Sequence, residues 1–147
     1  MNLVRRLESD EFKEYVRLSL EAYPSMITGL SQEQEEDWAK RMQERQAEKG
    51  DIQYYGYFRD NKMLGAMRTH TFKMNIHGVD ITAGGVGNIG VDLTHKKEHI
   101  AKEMMEYYHK LYRDMGAPFV LLWPFRHDFY RKMGYGYGRK FNKYSYK

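Results

Sequence analysis

The apolar side chains near the start of the chain recur three or four residues apart, which is the spacing of one helix face. They are Phe12, Tyr15, Val16, Leu20 and Tyr23. We predict an amphipathic helix that opens at Ser9 or Asp10, because either side chain can accept a hydrogen bond from the free amides of a first turn. The helix ends at Pro24, which cannot continue it.

A second helix is predicted after a short loop, and most of its side chains are charged. Ser31 and Gln34 have the spacing of a capping box, and Trp38 and Met42 are the obvious apolar anchors of a segment that runs to about Lys49. Because so few positions are apolar, we predict that this helix lies on the surface. Four acidic residues in or near it would either flank a cationic substrate or form a solvated face. They are Glu33, Glu36, Asp37 and Asp51.

The hydrophobic spacing changes from helical to alternating at Gln53, as expected for β-strands. Two short polar turns, at residues 60–61 and 77–78, separate the alternating segments. This pattern predicts an antiparallel meander that leads into a central strand. Ile89 and Val91 of that strand are apolar, and nearby glycines indicate that a ligand or another backbone approaches it closely.

The longest helical stripe begins near residue 100. It consists of Ile100, Met104, Tyr108, Leu111 and Met115. We predict an amphipathic helix that is capped by Thr94 at its start and ended by Gly116. Beyond it, residues 119–123 have the pattern of a buried strand, 128–133 that of a short helix and 135–147 that of a final strand.

The order of these elements predicts an α/β fold. Two helices, antiparallel strands, a helix, a strand, a helix and a strand form three layers around one sheet. We expect a single domain over residues 1–147, since a chain of 147 residues can bury one core of useful size.

Composition and charge exclude several classes of protein. The 13 tyrosines and 7 phenylalanines argue against disorder, and the absence of cysteine excludes disulfides, thiolate metal sites and a cysteine nucleophile. The chain has no apolar run of membrane-spanning length and no signal-peptide core, so we expect a cytoplasmic location and no membrane partner. The net charge of +4 is uneven, because residues 116–147 carry 7 basic groups and 1 acidic group. A positive C-terminal part suits a polyanionic ligand.

An anion site is predicted where the central strand meets the long helix. The first turn of a helix leaves backbone N–H groups unpaired, and the partial positive charge there favours phosphates. Lys96 and Lys97 lie on the connecting loop and add two full positive charges. Residues 84–115 are therefore the predicted functional element.

Three segments in this region carry a family resemblance. They are VDLTHKKEHIA at residues 91–101, LLWPF at 121–125 and FYRKMGYG at 129–136. Together they resemble the GNAT family of N-acetyltransferases, and the chain is similar to the N-terminal domain of Eis-type (enhanced intracellular survival) acetyltransferases. The resemblance implies a GNAT-like three-layer α/β/α fold with a central mixed, mostly antiparallel sheet. It also implies direct transfer of acetyl from acetyl-CoA to a primary amine in a ternary complex, without a metal.

The resemblance implies a set of cofactor-binding residues. They are Ile89, Gly90, Val91, Lys96, Lys97, His99, Ile100, Ala101, Phe125 and Arg126. The family's pyrophosphate loop falls on residues 96–101, where Lys96 replaces an arginine and Ala101 fits the pattern. His99 occupies the place of a glycine, and Glu98 adds a negative charge beside the expected phosphates. These departures leave a second hypothesis open, a non-catalytic or regulatory CoA-fold module.

The resemblance also implies catalytic roles. Tyr130 matches the family's general-acid tyrosine, and a phenol titrates near enough to a thiol to protonate a departing thiolate. Trp123 and Asp92 are assigned to the substrate pocket. The general base is left open among Asp92, Glu98, His127 and water.

Two other hypotheses arise from the same residues. His95, Glu98 and His99 have the H-x-x-E-H order of inverted zinc proteases, but that chemistry needs both histidines on one helix face and a further acidic ligand. The basic, aromatic segment 135–146 resembles a surface that stacks nucleic-acid bases, although lysines also protect an edge strand, which we favour. We therefore expect a small-molecule or peptide amine as partner rather than nucleic acid, and homo-oligomerisation is left open.

Overall fold

The computed structural model describes residues 2–24, 29–48, 50–124 and 126–138. Within these ranges the chain forms one five-stranded sheet with helices on both faces. The strands are β1 (Asn2–Arg6), β2 (Ile52–Arg59), β3 (Lys62–Ile76), β4 (Val79–Val91) and β5 (Val120–Leu122). The helices are α1 (Phe12–Ala22), α2 (Gln32–Glu48), α3 (Ile100–Asp114) and α4 (His127–Arg131). Strands β1 to β4 are antiparallel neighbours and β5 is parallel to β4, so the predicted mixed, mostly antiparallel sheet is confirmed.

The predicted helices are confirmed, and so is the start of α2. The predicted cap of α1 by Ser9 or Asp10 is wrong, because residues 9–11 form a 3-10 helix that is capped by Glu8 and α1 begins only at Phe12. Gln34 N donates a hydrogen bond to Ser31 Oγ (3.3 Å), and Ser31 N donates to Gln34 Oε1 (2.8 Å), which is the predicted capping box. Ala39 and Gln46 are the buried residues of α2 within the part of the helix that the structure describes. The helix therefore lies on the surface, as predicted.

The two predicted turns of the meander are also confirmed. Asp60 and Asn61 have φ values of 49° and 62°, and His77 and Gly78 have values of 50° and 83°. Two successive left-handed residues give the turn whose twist matches that of a β-hairpin. Asparagine and glycine adopt this conformation at little cost, which explains the position of each turn in the sequence.

Strand β1 was not predicted. Its Leu3 pairs with Phe58 and its Arg5 with Gly56 on β2. Leu3 is 49% exposed, so the segment lacks the alternation of buried and exposed positions that identifies a strand. Its strand conformation depends on the neighbouring β2.

Three further sequence predictions were wrong. Thr94 does not cap α3, which begins at Ile100, because Lys97 and His99 have left-handed backbones that a helix cannot include. The strand after α3 covers only Val120–Leu122, and it is not buried, since Leu121 is 41% exposed. Residues 135–138 belong to no strand, and the remainder of the predicted final strand lies outside the described residues.

The core consists of two clusters, one on each face of the sheet. The α3 face holds Tyr55, Tyr57, Leu64, Met67, Val86, Ile89, Ile100, Met104, Met105, Tyr108, Tyr112 and Tyr130. The α1 and α2 face holds Leu7, Phe12, Tyr15, Val16, Leu18, Ala39, Ile52, Tyr54, Phe58, Met63 and Ala66. Apolar side chains on both faces require helices on both faces, which confirms the three-layer fold.

Glycine allows both helix layers to approach β4. A Cβ at Gly84 would lie 2.5 Å from the Tyr112 ring of α3, and a Cβ at Gly90 would lie 3.2 Å from the Leu18 carbonyl oxygen of α1. The predicted close approach at this strand is thus made by protein groups on both faces. None of the helices in the described ranges has the length and apolar character needed to cross a membrane.

Candidate functional site

The site is organised by the divergence of β4 and β5. These strands pair at only three positions, Gly84 with Val120, Gly85 with Leu121 and Val86 with Leu122. Strand β4 continues to Val91, so from Gly87 onward its outer edge faces no strand among the described residues. Unpaired strand backbone is available to hydrogen-bond an extended ligand.

The backbone groups that face this gap can be identified from the pairing. Asp92 N donates to Leu64 O of β3 (2.9 Å). Because backbone groups alternate along a strand, those of Val91 and Ile89 face away from β3. The predicted cofactor-binding residues Ile89 and Val91 therefore present their backbones at the gap, whereas Gly90 lies under α1.

A β-bulge at Asn88 shapes the same part of β4. Asn88 has a φ of 54°, and the β3–β4 register shifts beside it, between Ala66 and Arg68. The Asn88 side chain donates hydrogen bonds to Tyr15 Oη (2.8 Å) and Ser19 Oγ (2.7 Å) of α1. The bulge is thereby held against the helix. An asparagine inside an otherwise apolar strand was the available sequence signal for it.

The phenol of Tyr23 occupies part of the gap. Tyr23 follows the end of α1, and its hydroxyl donates a hydrogen bond to Ile89 O (3.0 Å). Tyr23 was predicted only as part of a helical stripe. Its participation in the site comes from packing between residues that are 66 positions apart in sequence.

The loop before α3 has the geometry of an anion site. The helix begins at Ile100, and its first hydrogen bond runs from Glu103 N to His99 O (3.0 Å). The amides of Ile100, Ala101 and Lys102 therefore have no partner within the helix. The side chains of Lys96 and Lys97 in the preceding loop are exposed.

The conformation of His99 determines whether its side chain blocks the free amides at the start of α3. His99 has a φ of 62°, the left-handed conformation in which a glycine is usual. Its imidazole is exposed and makes no capping hydrogen bond to the first turn of α3. The backbone thus fulfils the role expected of a glycine, while the side chain does not close off the amides by hydrogen bonding.

The negative charge of Glu98 is compensated within the fold. Arg59, at the end of β2, donates a hydrogen bond to Glu98 Oε2 (2.5 Å). This ion pair places a further cation beside the loop and counteracts the repulsion that Glu98 would exert on a phosphate. The sequence contained no signal for Arg59, because it lies 39 positions away.

The histidines of the zinc motif are not arranged for metal binding. His95 is in a short 3-10 helix (Leu93–His95), and its Nδ1 lies 2.8 Å from Thr94 Oγ1. His99 is outside α3 in a left-handed conformation. The two imidazoles therefore do not share one helix face. Among the described residues, no group of three or more His, Cys, Asp or Glu side chains could hold a metal ion.

Asp92, predicted in the substrate pocket and as a candidate base, is engaged by its neighbours. It is 6% exposed and accepts hydrogen bonds from Thr94 N (2.9 Å) and Thr94 Oγ1 (2.6 Å). These bonds, with His95 and the charge of Lys62, lower the pKa of Asp92 to about 2. A carboxylate of such low pKa is a weak proton acceptor near neutral pH.

Tyr130 is buried in α4, with 4% of its surface exposed. It packs edge-on against Phe129 and Tyr135 beside the α3-face core. Burial raises the pKa of Tyr130 to about 12, and the charge of an ionised Tyr23 contributes to the increase. Tyr130 is therefore protonated at neutral pH.

The remaining predicted residues lie at the surface. Trp123 is 77% exposed just beyond β5, and His127 is exposed at the start of α4. Arg126 pairs with Asp128 (2.6 Å). Phe125 lies outside the described residues. The acidic residues of α2 interact with nearby cations, Glu36 with Lys13 (2.9 Å) and Asp37 with Arg41 (2.6 Å), as on a solvated face.

The fold recurs among solved structures at low sequence identity. The glucosamine-6-phosphate N-acetyltransferase from Arabidopsis thaliana has a TM-score of 0.75 at 18% identity, over 99% of this chain and 98% of that one. A predicted acetyltransferase with acetyl-CoA from Clostridium acetobutylicum has a TM-score of 0.76 at 11% identity, over 99% and 96%. A probable N-acyltransferase of unknown function from Enterococcus faecalis V583 has a TM-score of 0.69 at 24% identity, over 92% of this chain but 32% of that one.

The sequence comparisons define the family. No curated protein matches the chain. The family described as acetyltransferase (GNAT) domain matches residues 3–138, a range that includes the diverging strands, the loop before α3 and Tyr130. This chain therefore belongs to the GNAT family of acetyltransferase domains.

Proposed function

We propose that this domain transfers an acetyl group from acetyl-CoA to a primary amine, by direct attack in a ternary complex. The observation that carries the proposal is the gap between β4 and β5, which leads to the free amides at the start of α3. An extended ligand with a phosphate at one end matches both features. The segments VDLTHKKEHIA, LLWPF and FYRKMGYG support an Eis-type relationship, which we propose as well.

The residues present fit the phosphates and the arm of acetyl-CoA. The amides of Ile100 and Ala101, with Lys96 and Lys97, would hold the diphosphate, since they combine a helix N-terminus with full positive charges. The outward-facing backbone of β4 up to Val91 would hold the arm. When bound, acetyl-CoA supplies the thioester that the amine attacks.

Tyr130 is the proposed acid. Attack by the amine nitrogen forms the C–N bond and breaks the C–S bond, and the departing sulfur then needs a proton or a hydrogen bond. The Tyr130 phenol carries its proton at neutral pH, because burial keeps its pKa near 12. A phenol more basic than a thiolate favours hydrogen-bond donation over complete proton transfer, so its main effect is to stabilise developing negative charge.

Water is the proposed acceptor of the amine proton. Asp92 is unsuited because its pKa is about 2, and Glu98 is paired with Arg59. His127 is exposed at the start of α4 and is the side-chain alternative. Replacement of His127 with Gln distinguishes water from His127 as the proton acceptor. If water is the acceptor, the dependence of turnover on pH should be unchanged in this variant.

A non-catalytic CoA-fold module is the second candidate. It is favoured by the departure from the family pattern at His99 and by the hydrogen bond of Tyr23 to the Ile89 carbonyl at the gap. Either candidate is compatible with the fold alone, because fold does not determine function.

Calorimetric titration with acetyl-CoA tests the proposal. We expect saturable binding that Lys96→Ala combined with Lys97→Ala weakens about tenfold, because two exposed cations each contribute a modest, salt-screened attraction. Lys110→Ala is the matched control, since Lys110 lies near the C-terminal end of α3 and pairs with Asp114. Absence of binding at millimolar acetyl-CoA would refute both the enzyme and the cofactor assignment. Binding without acetylation of any amine in a broad panel would favour the module.

A further inference from the structure

Arg68 of β3 lies at the opening of the gap, on the sheet face opposite α3. It pairs in register with Gly87, which is the first residue of β4 beyond the last pair with β5. A Cβ at Gly87 would meet one neighbour within 4 Å, the Arg68 Nη2 at 3.9 Å. The guanidinium therefore borders open space at the point where the two strands separate.

The face of the sheet follows from the residues around Gly87. Gly85 lies two positions before Gly87 and faces the Phe72 ring and His70 Cβ. Val86 points the other way, into the α3-face core. Arg68, His70 and Phe72 are thus on the face that α1 and α2 cover elsewhere, away from the anion-binding start of α3.

The guanidinium of Arg68 is incompletely satisfied by the protein. Its Nε is buried and makes no hydrogen bond, and none of the ion pairs among the described residues involves Arg68. Tyr54 lies close enough for Arg68 to oppose, by charge and hydrogen bonding, the rise that burial causes in the pKa of Tyr54. A buried, unpaired donor on a cation is costly, and native proteins rarely retain one without a purpose. The Nη2 of the same guanidinium borders the opening at Gly87 and is the donor that an oxyanion could reach, in a charge-assisted hydrogen bond.

The surroundings of Arg68 reinforce a preference for negative charge. His70 stacks on Phe72 with 5.8 Å between ring centroids. Burial lowers the pKa of His70, and the charges of Arg68 and Arg45 lower it further, while Asp51 opposes the change. Two positive charges and one negative charge therefore act on the His70 imidazole. Phe72 is 42% exposed and supplies an apolar wall.

We propose that Arg68 binds an anionic group, a carboxylate or a phosphate, on the amine acceptor. This inference rests on the proposed function, and it narrows the acceptor from any primary amine to one that also carries an oxyanion. Acceptor and acetyl-CoA phosphates would then be held on opposite faces of the sheet, by Arg68 and by the start of α3. The opening at Gly87 lies between the two positions.

The proposal is tested with amines that differ only in the anionic group. Phosphoethanolamine is compared with ethanolamine, and β-alanine with β-alaninamide, by calorimetry on the full chain with and without acetyl-CoA. We expect one anionic member to bind about tenfold tighter than its neutral partner or more, because hydrogen bonds between charged groups are among the stronger ones. The two pairs distinguish phosphate from carboxylate.

Variants of Arg68 test whether this residue causes the preference for the anionic amine. Arg68→Met should abolish the discrimination and Arg68→Lys should retain part of it, with acetyl-CoA affinity unchanged in both. Lys73→Met is the control, since Lys73 is an exposed cation of the same strand. Equal binding of charged and neutral amines by the natural chain would overturn the inference, as would discrimination that persists in Arg68→Met.

The outcomes separate this inference from the proposed function. Discrimination that depends on Arg68, in a chain that binds no acetyl-CoA, would refute the proposed function and support the anion site. Acetyl-CoA binding and amine acetylation without discrimination would refute the role of Arg68 alone. Loss of folding in Arg68→Met would leave Arg68→Lys as the deciding variant, with reduced discrimination supporting the inference and unchanged discrimination overturning it.

Discussion

At the scale of single residues, burial determines what Tyr130 can do. A phenol with a pKa near 12 keeps its proton at neutral pH, so it can donate a hydrogen bond wherever negative charge develops. The sequence contains 13 tyrosines, and side-chain chemistry does not distinguish them. Burial does not distinguish them either, because Tyr55 is also buried and its pKa is likewise raised to about 12. The position of Tyr130 in the segment FYRKMGYG is what singles it out.

Tyr130→Phe tests this role. We expect turnover to fall by about a hundredfold while acetyl-CoA affinity is unchanged, because the donor acts mainly as the thiolate forms. Steady-state kinetics and calorimetry on the same protein measure the two quantities. Tyr107→Phe is the control, since Tyr107 is a half-buried tyrosine of α3 that packs on Tyr55. Turnover equal to that of the natural chain would remove Tyr130 from the mechanism.

Asp92 is predicted to contribute to stability in a defined pH range. Its pKa is lowered to about 2 from an ordinary value of 3.8, so its stabilisation is present above about pH 3.8 and is lost as the pH falls towards 2. Asp92→Asn should lower the free energy of unfolding at pH 7 by about 1 kcal/mol, because the amide cannot replace the charge-assisted hydrogen bonds that the carboxylate accepts from Thr94. Urea titrations at pH 7 and pH 3 measure the effect, which should shrink at the lower pH. If Asp92→Asn lowered the free energy of unfolding equally at pH 7 and at pH 3, the lowered pKa of Asp92 would not be the source of the stabilisation.

At the scale of elements, the start of α3 combines favourable and unfavourable charges. Glu98→Gln should tighten acetyl-CoA binding a few-fold, because it removes a negative charge beside the proposed diphosphate site and releases Arg59. Glu106→Gln is the control, since Glu106 lies within α3, away from its start, and pairs with Lys102 (3.6 Å). Calorimetry at low and high salt measures both variants. Weaker binding by Glu98→Gln would show that the ion pair supports the loop rather than opposing the phosphates.

The contact between α3 and β4 depends on the absence of a side chain at one position. Gly84→Ala should lower the free energy of unfolding by about 2 kcal/mol, because the new Cβ would overlap a packed ring and the core would have to shift. The ring is that of Tyr112, only 2.5 Å from the Cβ position. Gly136→Ala is the control, with nothing within 4 Å. Thermal unfolding compares the two, and equal stability would show that the Tyr112 ring moves aside freely.

At the scale of the whole molecule, the sheet separates two charge environments. The start of α3, with Lys96, Lys97 and Arg59, provides positive charge on one face and edge of the sheet. Arg68 provides it on the opposite face, at the opening between β4 and β5. The proposed transfer would need two binding sites that meet at one point, and the divergent pair β4 and β5 lies between these two charged regions.

Most elements of this fold are local in origin and could be predicted from the sequence. The stripes at helical spacing, the capping box at Ser31 and the left-handed turns at Asn61 and Gly78 depend on residues within a few positions of one another. The predicted anion loop at Lys96 and Lys97 depends likewise on a helix start and two adjacent charges. Strand β1 and the exposed β5 were mispredicted because their conformation depends on pairing with distant strands.

Local patterns in the amino-acid sequence account for the helices, the turns, the charge distribution and the segments of family resemblance. Four features become visible only in the folded chain: the point where β4 leaves β5, the ion pair of Arg59 with Glu98, the hydrogen bond of Tyr23 to Ile89 and the position of Arg68 beside Gly87. The physical reason is one of range. Periodicity and turn chemistry act over a few residues, whereas ion pairs, burial and strand divergence arise between groups that only the folded chain brings together.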